Sequence, residues 1–354
     1  MSSPSTTVNL AVIGAGAIGI AQLRDLKAHA SARVVALAET SAERGPAVAA
    51  QWGVPEWVPD YRTLLARADV DAVTIALPNH LHAPIALEAL RAGKHVLLEK
   101  PMATNASDAT ELMHEATTRG LKLMVGQNAR FAPEVQTARR LIAEGALGEV
   151  YHAKTAWTRR AGIPRIGSWF TQKKFAGGGS CYDIGVHGLD RCLHLMGEFD
   201  VVSVSGQTYS KLGPLGQGAG TWGHGDIDPT AVFDVDDLAV ALLKLRSGRS
   251  VLLESSWAAH QEDADFNGTQ LFGTAGGLIF PPLRLFRPGK YGYSREQVEA
   301  TPDFVNPNRM AHFVDVVLGR VESYVPLAES VAVQRILDAI YASAATGREV
   351  RLDG

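Results

Sequence analysis

The residues Val8–Gly19 read VNLAVIGAGAIG, an apolar run that leads directly into a glycine-rich turn. An uninterrupted apolar run of this kind predicts a β-strand that is buried on both faces. Gly14, Gly16 and Gly19 match the pattern G-x-G-x-x-G, and Ala17–Ala30 predicts the helix that follows it. A strand, a glycine turn and a helix N-terminus in this order predict a corner that binds phosphate groups.

Each glycine of the turn has a predicted role. Gly14 permits the tight turn, Gly16 lets the backbone approach a pyrophosphate, and Gly19 lets the helix pack closely on the strand. Glu39 ends the second predicted strand, where an acidic side chain binds ribose hydroxyls and repels a 2′-phosphate, which favours NAD over NADP. Arg44 leaves the NADP alternative open, because a basic side chain there can receive a phosphate. A glycine turn that serves packing alone is the other alternative.

Predicted strands and helices alternate through the first third of the chain. Strands are predicted at Val8–Gly14, Arg33–Glu39, Ala72–Leu77, His95–Glu99 and Leu121–Gly126, and helices at Ala17–Ala30, Ala42–Trp52, Tyr61–Arg67, Pro84–Ala92 and Ala106–Arg119. Strands joined through helices pair in parallel, with right-handed crossovers. The sequence therefore predicts an α/β fold whose N-terminal domain, residues 1–127, is a doubly wound parallel Rossmann sheet that binds a dinucleotide.

The rest of the chain has a different pattern, in which strands follow one another through short turns. Strands are predicted at Val150–Thr158, Val201–Tyr209, Leu238–Leu245, Ser250–Ala258, Leu271–Phe272 and Leu278–Phe280, and helices at Pro133–Glu144, Tyr182–Met196 and Glu329–Ala345. Short turns favour antiparallel pairing. Residues 128–354 are therefore predicted to form an α+β domain with an open, mostly antiparallel sheet that binds substrate and builds oligomers. Whether the last helix packs back on the first domain stays open.

Composition excludes several classes of protein. The 354 residues carry a formal net charge of −3 without a Lys/Arg-rich block, which argues against a nucleic-acid or anionic-membrane partner. Two cysteines, Cys181 and Cys192, are too few for a disulfide framework and are interpreted as small buried residues. The N-terminus lacks the features of a signal peptide, and an apolar stretch long enough to span a membrane is missing. We therefore expect a cytoplasmic protein.

Two strand ends are predicted to face the cofactor, since ligands of open α/β sheets bind outside the carboxyl ends of the strands. Leu77–His82 leaves one predicted strand, and Glu99-Lys100-Pro101 leaves the next. A cation at Lys100, next to a nicotinamide ribose and a substrate hydroxyl, would lower the pKa of that hydroxyl. The alternative is a solvated lysine at a strand end, although Pro101 fixes the backbone that follows it.

Asp183 and His187 form the second group of candidate site residues, just after the glycines at 177–179. On a helix, residues four apart project from one face. His187 is a candidate base for a sugar hydroxyl as hydride leaves its carbon, with Asp183 orienting the imidazole or binding a neighbouring hydroxyl. One alternative is a core histidine satisfied by Asp183. Another is a metal site that includes His194, which hydride transfer does not need.

Two further interpretations concern less informative stretches. Asp190 and Arg191 are expected to form local ion pairs. The glycine-rich segment Lys211–Asp228 is a long irregular loop. It is interpreted as a lid, as an arm between subunits, or as a mobile surface insertion.

Taken in order, these residues resemble the Gfo/Idh/MocA oxidoreductases, a family that includes glucose–fructose oxidoreductase and inositol dehydrogenases. The motifs that carry the resemblance are Gly14–Gly19, Pro78-Asn79 with His82, Glu99-Lys100-Pro101, and Gly178-Gly179 followed by Asp183, Gly185, His187 and Asp190. The resemblance covers nearly the whole chain. It implies a Rossmann domain followed by an α/β domain whose sheet commonly builds homodimers or homotetramers through its outer face.

The resemblance also implies the chemistry. The catalytic residues would be Lys100, Asp183 and His187, with His187 as acid/base and no metal. NAD, with NADP as the alternative, would contact Gly14, Gly16, Ala17, Ile18, Glu39, Pro78, Asn79, His82, Glu99, Lys100 and Gln127. Substrate would contact Lys100, Asp183 and His187, and also Arg160, Arg165 and Trp169 from the segment Trp157–Phe170. The alternative for Arg160, Arg165 and Trp169 is a surface loop with an aromatic side chain packed beneath it.

The predicted function is an NAD(P)-dependent dehydrogenase that oxidises a secondary ring hydroxyl of a sugar, cyclitol or glycoside to a ketone. Two alternatives stay open. One is a glycoside-modifying enzyme that keeps NAD tightly bound and oxidises the ring transiently. The other is a regulator that binds the dinucleotide without catalysis, which the intact set of Lys100, Asp183 and His187 argues against.

Overall fold

The computed structural model of the chain describes residues 6–222, 227–303 and 308–352. The chain groups into two compact units, one of Met1–Gly126 with Asn308–Val331 and one of Gln127–Pro307 with Ala332–Gly354. Among the described helices, none is long and apolar enough to cross a membrane.

Parallel strands form the sheet of the first unit. In the described residues they are β1 (Val8–Ile13), β2 (Ala32–Ala38), β3 (Trp57–Val58), β4 (Ala72–Ile75), β5 (His95–Leu98) and β6 (Leu123–Val125). Their order is β3-β2-β1-β4-β5-β6, and every neighbouring pair is parallel. The order reverses between β1 and β4, which makes their carboxyl ends the topological switch point where dinucleotides bind in doubly wound folds. The predicted parallel sheet is confirmed.

The helices of the first unit connect these strands. They are α1 (Ala17–Lys27), α2 (Arg44–Trp52), α3 (Arg62–Leu65), α4 (His82–Arg91) and α5 (Ala106–Arg119), and a short 3₁₀ turn covers Asn79–Leu81. Each predicted helix is present, with ends that agree with the prediction to within three residues. Buried strand residues such as Leu10, Val73 and Leu97 are fully buried because helices cover both faces of the sheet.

The second unit contains a larger sheet. Its strands are β7 (Val150–Arg159), β9 (Val201–Tyr209), β11 (Leu238–Leu245), β12 (Ser250–Ser256), β13 (Asp265–Gly273), β14 (Gly277–Phe280), β15 (Arg284–Gly289), β16 (Gly292–Gln297) and β17 (Val350–Arg351), and the separate β8 (Ile163–Pro164) pairs with β10 (Ala219–Gly220). The large sheet has the order β16-β15-β14-β13-β7-β12-β11-β9-β17. Its neighbours are antiparallel, with a parallel pair at β7–β12. The predicted mostly antiparallel sheet is confirmed.

One face of this sheet carries the core of the second unit. The helices of the second unit are α6 (Pro133–Ala143), α7 (Lys173–Ala176), α8 (Val186–Met196) and, from residue 332 onward, α10 (Leu327–Thr346), and its 3₁₀ turns are Asn128–Phe131, Trp169–Thr171 and Gly213–Leu215. Leu189 and Leu193 of α8 pack in one apolar cluster with Val251 of β12 and Leu337 of α10. Almost every side chain of α8 is buried, so this helix is held rigidly against the sheet.

Several elements differ from the prediction. The short strands β3, β8, β10 and β17, the pair β15 and β16, and the short helix α7 were not predicted. The predicted helix Tyr182–Met196 begins with a π-helical turn at Cys181–Gly185 before α8. The predicted strand Leu271–Phe272 is part of the longer β13. The helix α9 (Arg309–Val317) was not predicted, and its N-terminus is capped by Asn308, whose side chain accepts a hydrogen bond from the Met310 N–H at 2.7 Å.

Candidate active site

The glycine turn between β1 and α1 has the geometry that its sequence predicts. Gly14 has φ +102°, and a Cβ there would collide with the carbonyl oxygen of Ala76. A Cβ at Gly19 would collide with the Gly14 carbonyl oxygen, so this glycine allows the helix to approach the turn. At Gly16, in contrast, a Cβ would meet nothing within 4 Å. The open space at Gly16, at the N-terminus of α1, leaves room for a pyrophosphate.

Glu39 closes this corner after β2. Its carboxylate accepts hydrogen bonds from the Ala15 N–H and the Ser41 N–H, both at 3.0 Å, and from Arg44 Nη2 at 2.8 Å. Burial opposes the charged form of Glu39, but these hydrogen bonds and the charge of Arg44 outweigh it and lower the pKa below its usual value. Arg44 is therefore engaged by Glu39, and the carboxylate lies beside the glycine turn as an NAD-type corner requires.

His82 links the two predicted strand ends. Its Nδ1 lies 2.7 Å from the Pro101 carbonyl oxygen, and its Nε2 lies 2.9 Å from the Leu77 carbonyl oxygen. Burial is the main cause of a lowered pKa for this histidine. Both ring nitrogens therefore face backbone, and His82 fixes the loops that carry Asn79 and Lys100. Asn79 is buried in the 3₁₀ turn, directly after Pro78.

Glu99 and Arg309 form an ion pair that sequence reasoning missed. Arg309 Nη2 lies 2.6 Å from Glu99 Oε1, and Nη1 lies 3.1 Å from Oε2 and 2.7 Å from the Gly126 carbonyl oxygen. Gln22 donates a further hydrogen bond to Glu99 at 2.7 Å. Arg309 thus joins the carboxyl ends of β5 and β6 and fixes the residue before Lys100. No local sequence pattern signals this contact, since the two residues are 210 positions apart.

The second unit holds Asp183 in a fixed orientation. Asp183 lies in the π-helical turn, is buried, and accepts a hydrogen bond from Trp257 Nε1 at 2.9 Å. A Cβ at Gly179 would collide with the Asp236 carbonyl oxygen, which shows that this glycine allows another chain segment to approach. The Asp236 carboxylate accepts hydrogen bonds from the Gly179 N–H at 2.8 Å and the Cys181 N–H at 3.1 Å. Asp236 therefore caps the turn that carries Asp183.

His187 follows in the first turn of α8 and lines a cavity of about 310 Å³. Its ring lies 5.7 Å from the ring of Trp157, centroid to centroid. The other residues that line the cavity include Asn128, Glu134, Arg191, Asn267 and Phe280. π-Helical turns of this kind occur frequently at functional sites, and here the turn lies directly before a cavity-lining histidine.

Asp190 forms its ion pair with a residue that is distant in the sequence. Its carboxylate accepts two hydrogen bonds from Arg130, at 2.9 and 2.6 Å, and both side chains are fully buried. The expected local ion pairs of Asp190 and Arg191 are therefore wrong, because Asp190 instead anchors α8 to the 3₁₀ turn at 128–131. His194 is buried, and its pKa is lowered to about 3 by burial and by the charges of Arg130 and Arg139.

Within residues 6–222, 227–303 and 308–352, no group of three or more His, Cys, Asp and Glu side chains is arranged to hold a metal ion. Cys181 and Cys192 are both buried and free, as interpreted from the sequence.

The remaining predicted substrate residues, Arg160, Arg165 and Trp169, lie in the second unit. Arg160 is exposed and donates hydrogen bonds to the carbonyl oxygens of Gln261, at 3.0 Å, and Glu262. Arg165 is exposed, with φ +41°. Trp169 stacks on Phe170 with ring centroids 3.7 Å apart. The contacts described for Arg160 and Trp169 are with neighbouring residues of the protein. The role of all three residues toward substrate stays a prediction.

The described part of the glycine-rich segment 211–228 is held by hydrogen bonds to Asp237 and by strand pairing with β8. Asp237 accepts hydrogen bonds from the backbone N–H groups of Lys211, Leu212 and Gly213, at 2.7, 2.6 and 3.0 Å. β10 of this segment pairs with β8. Residues 223–226 lie outside the described residues, so the choice between lid, arm and surface insertion stays open.

Each unit brings part of the predicted site together. In the first unit, the cofactor candidates Gly14, Gly16, Ala17, Ile18, Glu39, Pro78, Asn79, His82, Glu99 and Lys100 all lie at or after the carboxyl ends of β1, β2, β4 and β5. In the second unit, Asp183 and His187 lie on consecutive turns. Gln127, also in the second unit, is buried, and its Oε1 has no hydrogen-bond partner among the described residues. A buried amide oxygen without a partner fits a contact to a polar ligand.

Comparison with known proteins gives a consistent result. A family model described as an oxidoreductase family with an NAD-binding Rossmann fold (GFO_IDH_MocA) matches residues 8–127, and the GFO/IDH/MocA C-terminal domain matches residues 135–279. A putative UDP-kanosamine synthase oxidoreductase subunit of Amycolatopsis mediterranei is 35% identical over 76% of this chain and 74% of its own length. D-glucoside 3-dehydrogenase of Escherichia coli is 29% identical over 98% of both chains. A solved levoglucosan dehydrogenase, in complex with NADH and levoglucosan, shares the fold, with a TM-score of 0.85 and 23% identity over 98% of this chain and 100% of that one.

Proposed function

The chain belongs to the Gfo/Idh/MocA family of oxidoreductases, which has an NAD-binding Rossmann fold, and we propose that it is an NAD-dependent dehydrogenase of a sugar, cyclitol or glycoside. It oxidises a secondary ring hydroxyl to a ketone, and the reaction is reversible. The relatives that act on glucosides and levoglucosan support this substrate class.

The first unit supplies the cofactor site. When bound, NAD accepts the hydride that leaves the substrate carbon. The open space at Gly16 accommodates the pyrophosphate, and the N–H groups at the start of α1 donate to it. Glu39 binds the adenosine ribose hydroxyls and repels a 2′-phosphate, which selects NAD over NADP.

The second unit supplies the proton acceptor. His187 takes the hydroxyl proton while the carbon loses hydride, so the substrate loses one proton and one hydride and becomes a ketone. Asp183 binds the neighbouring hydroxyl or orients the imidazole, and Lys100 polarises the reacting hydroxyl. The observation that carries this assignment is the Trp257–Asp183 hydrogen bond of 2.9 Å, which holds a carboxylate one turn before the cavity-lining His187.

A panel of pyranoses, inositols and glycosides, each with NAD and with NADP, tests the proposal through nicotinamide absorbance. We expect net reduction of NAD with at least one sugar or cyclitol and weaker reduction of NADP. Lys100→Ala and His187→Ala should greatly reduce turnover and leave NADH binding, followed by fluorescence, largely intact. Near-normal turnover in both variants would show that Lys100 and His187 are not catalytic residues.

Two other outcomes of the same panel identify the alternatives. Glycoside conversion without accumulation of NADH indicates the enzyme that oxidises its substrate transiently. NADH binding without turnover of any substrate indicates a regulator.

Assembly is proposed to use the outer face of the nine-stranded sheet. The opposed residues Leu242 and Leu252 are about two-fifths exposed there, at 39% and 41%, although both are large and apolar. Exposed apolar side chains on neighbouring strands are typical of an interface. We propose that the chain forms a homodimer or homotetramer, and sedimentation of the full chain tests this. The cytoplasmic location stays a prediction from the sequence.

A further inference from the structure

Arg191 is a buried cation whose contacts are all with neutral groups. Its side chain is in α8, and the residue is 7% exposed. Nη2 donates to Asn267 Oδ1 at 3.0 Å and to Thr155 Oγ1 at 3.3 Å, and the guanidinium carbon lies 5.3 Å from the centroid of the Phe280 ring. Among the described residues, Nε is buried without a hydrogen-bond partner, and no carboxylate lies within ion-pair distance of the guanidinium.

A buried charge without a counter-charge is unusual in a folded protein. Taking an ion out of water has a large free-energy cost, so buried charges are normally paired. Arginine does not lose its proton in proteins, so the charge stays in place. Arg130, its buried neighbour in the same unit, illustrates the usual arrangement, because it is paired with Asp190 at 2.6 Å.

Arg191 shares its cavity with the proposed base. The cavity of about 310 Å³ is lined by both His187 and Arg191. The two residues are four apart on α8, so they lie on the same face, about 6 Å apart along the helix axis. A cavity of this size is at the lower end of the range for small-molecule sites, which suits a single sugar ring.

We propose that Arg191 binds an anionic group, a carboxylate or a phosphoryl group, that is carried by the substrate oxidised at His187. A guanidinium fits both groups because it donates two parallel hydrogen bonds. The inference rests on the proposed function and narrows its substrate class to acidic sugars or cyclitols.

Glu134 is the acidic residue that lines the same cavity. It lies in the first turn of α6, where the helix dipole favours a negative charge, and it forms no ion pair with Arg191 in the described residues. Its position therefore leaves the guanidinium available to a ligand.

Steady-state kinetics with matched neutral and charged substrates test the proposal. The panel contains glucose and methyl glucoside as neutral sugars, and glucuronate, glucose 6-phosphate and UDP-glucose as the carboxylate, phosphate and diphosphate arms. We expect one charged arm to exceed its neutral parent about tenfold or more in kcat/KM, as a charge-assisted hydrogen bond provides. A neutral sugar that exceeds every charged arm would overturn the proposal and leave the proposed function standing.

Variants separate recognition from packing. In Arg191→Met, the ratio of kcat/KM for the charged substrate to that for its neutral parent should fall about tenfold or more, mainly through KM. Arg191→Lys keeps a charge and should restore part of the ratio. Arg246→Met, which changes an exposed arginine paired with Asp200 at 3.0 Å, should leave the ratio unchanged. Equal losses with charged and neutral substrates would show that Arg191 serves packing alone.

Direct binding keeps the test independent of turnover. Calorimetric titration of the NADH-loaded protein with glucuronate, glucose 6-phosphate and UDP-glucose should show binding of one of them that weakens in Arg191→Lys. If no sugar is oxidised, this titration still decides the question. Absence of binding by all three anions would reject the role of Arg191, whereas binding without oxidation would reject only the dehydrogenase.

Discussion

A single buried indole, that of Trp257, holds the carboxylate of Asp183 through a hydrogen bond of 2.9 Å. Trp257→Phe removes the N–H donor and keeps most of the ring. Since a hydrogen bond to a charged group contributes about 1.5–3 kcal/mol, we expect kcat/KM to fall roughly 10–100-fold. Trp52→Phe is the matched control and should retain near-normal kinetics, since the Nε1 of this indole has no hydrogen-bond partner among the described residues. Unchanged kinetics in Trp257→Phe would show that Asp183 needs no such support.

His194 makes stability depend on pH. Its pKa is about 3 in the folded protein against an ordinary value of 6.5, because burial and two nearby arginines oppose the charged form. Below pH 6.5 the unfolded chain takes up a proton that the folded protein does not, so stability is complete above pH 6.5 and falls as the pH is lowered toward 3. The loss is up to about 1.4 kcal/mol per pH unit. We expect the midpoint of urea unfolding to fall less between pH 7 and pH 5 in His194→Gln than in the native protein.

The exposed His260 provides the control for this substitution. His260→Gln should follow the native protein across the same pH range. If both variants and the native protein lose the same stability, His194 does not contribute to the acid sensitivity.

Residues with fixed local roles were predictable, and residues with distant partners were not. Gly14, Gly16 and Glu39 follow a strand–turn–helix–strand pattern whose spacing is set by backbone geometry. Trp257 meets Asp183 across 74 positions, and Arg309 meets Glu99 across 210. Periodicity and turn chemistry describe neighbours along the chain, so contacts of this kind emerge only from the folded structure.

At the scale of elements, the helix that carries Asp183 depends on its cap. The carboxylate of Asp236 accepts hydrogen bonds from the N–H groups of Gly179 and Cys181 and from Ser180 Oγ, and Tyr341 also donates to it. Asp236→Ala leaves these buried donors without an acceptor. We expect the free energy of unfolding to fall by about 3 kcal/mol, more than for an ordinary cap, with a parallel loss of turnover.

Asp200→Ala is the control variant for Asp236→Ala. It removes an exposed carboxylate whose ion pair with Arg246 contributes little. Thermal unfolding and turnover of this variant should stay close to those of the native protein. A similar small effect in Asp236→Ala would mean that the turn does not depend on its cap.

Strongly periodic elements were predicted, and those without a local pattern were missed or shortened. The buried strands of the first unit are nearly all apolar, so their prediction was straightforward. The π-helical turn was missed, since one extra residue in a single turn hardly changes a helical pattern over five residues. β13 was predicted only at its apolar end, because its first half contains Asp265, Asn267 and Gly268.

For the whole molecule, we propose that the first domain is discontinuous and comprises residues 1–126 together with 308–331. The segment 308–331 contributes α9, which packs against α1 and buries Met310 and Phe313. A fragment of residues 1–126 lacks this cover and the arginine that pairs with Glu99. Breaking a buried ion pair costs about 3–5 kcal/mol, which is a large part of the stability of a single domain.

We therefore expect the fragment 1–126 to melt at a much lower temperature than the full chain and to bind NADH weakly. Joining residues 308–331 to it through a flexible linker should restore both properties, which circular dichroism and fluorescence measure. Arg309→Met in the full chain should show part of the loss. A fragment 1–126 that unfolds cooperatively near the temperature of the full chain would contradict the discontinuous domain.

The position of Arg309 has a consequence for biosynthesis. On a ribosome, the glycine turn and Glu99 emerge early, whereas α9 emerges only after the strands of the large sheet. At about 5–20 residues per second, the nascent first domain waits on the order of ten seconds or more for its last helix. During that interval the surface of α1 that α9 later covers is exposed to chaperones and to other nascent chains. The cofactor-binding domain is therefore completed only after the strands of the large sheet have been synthesised.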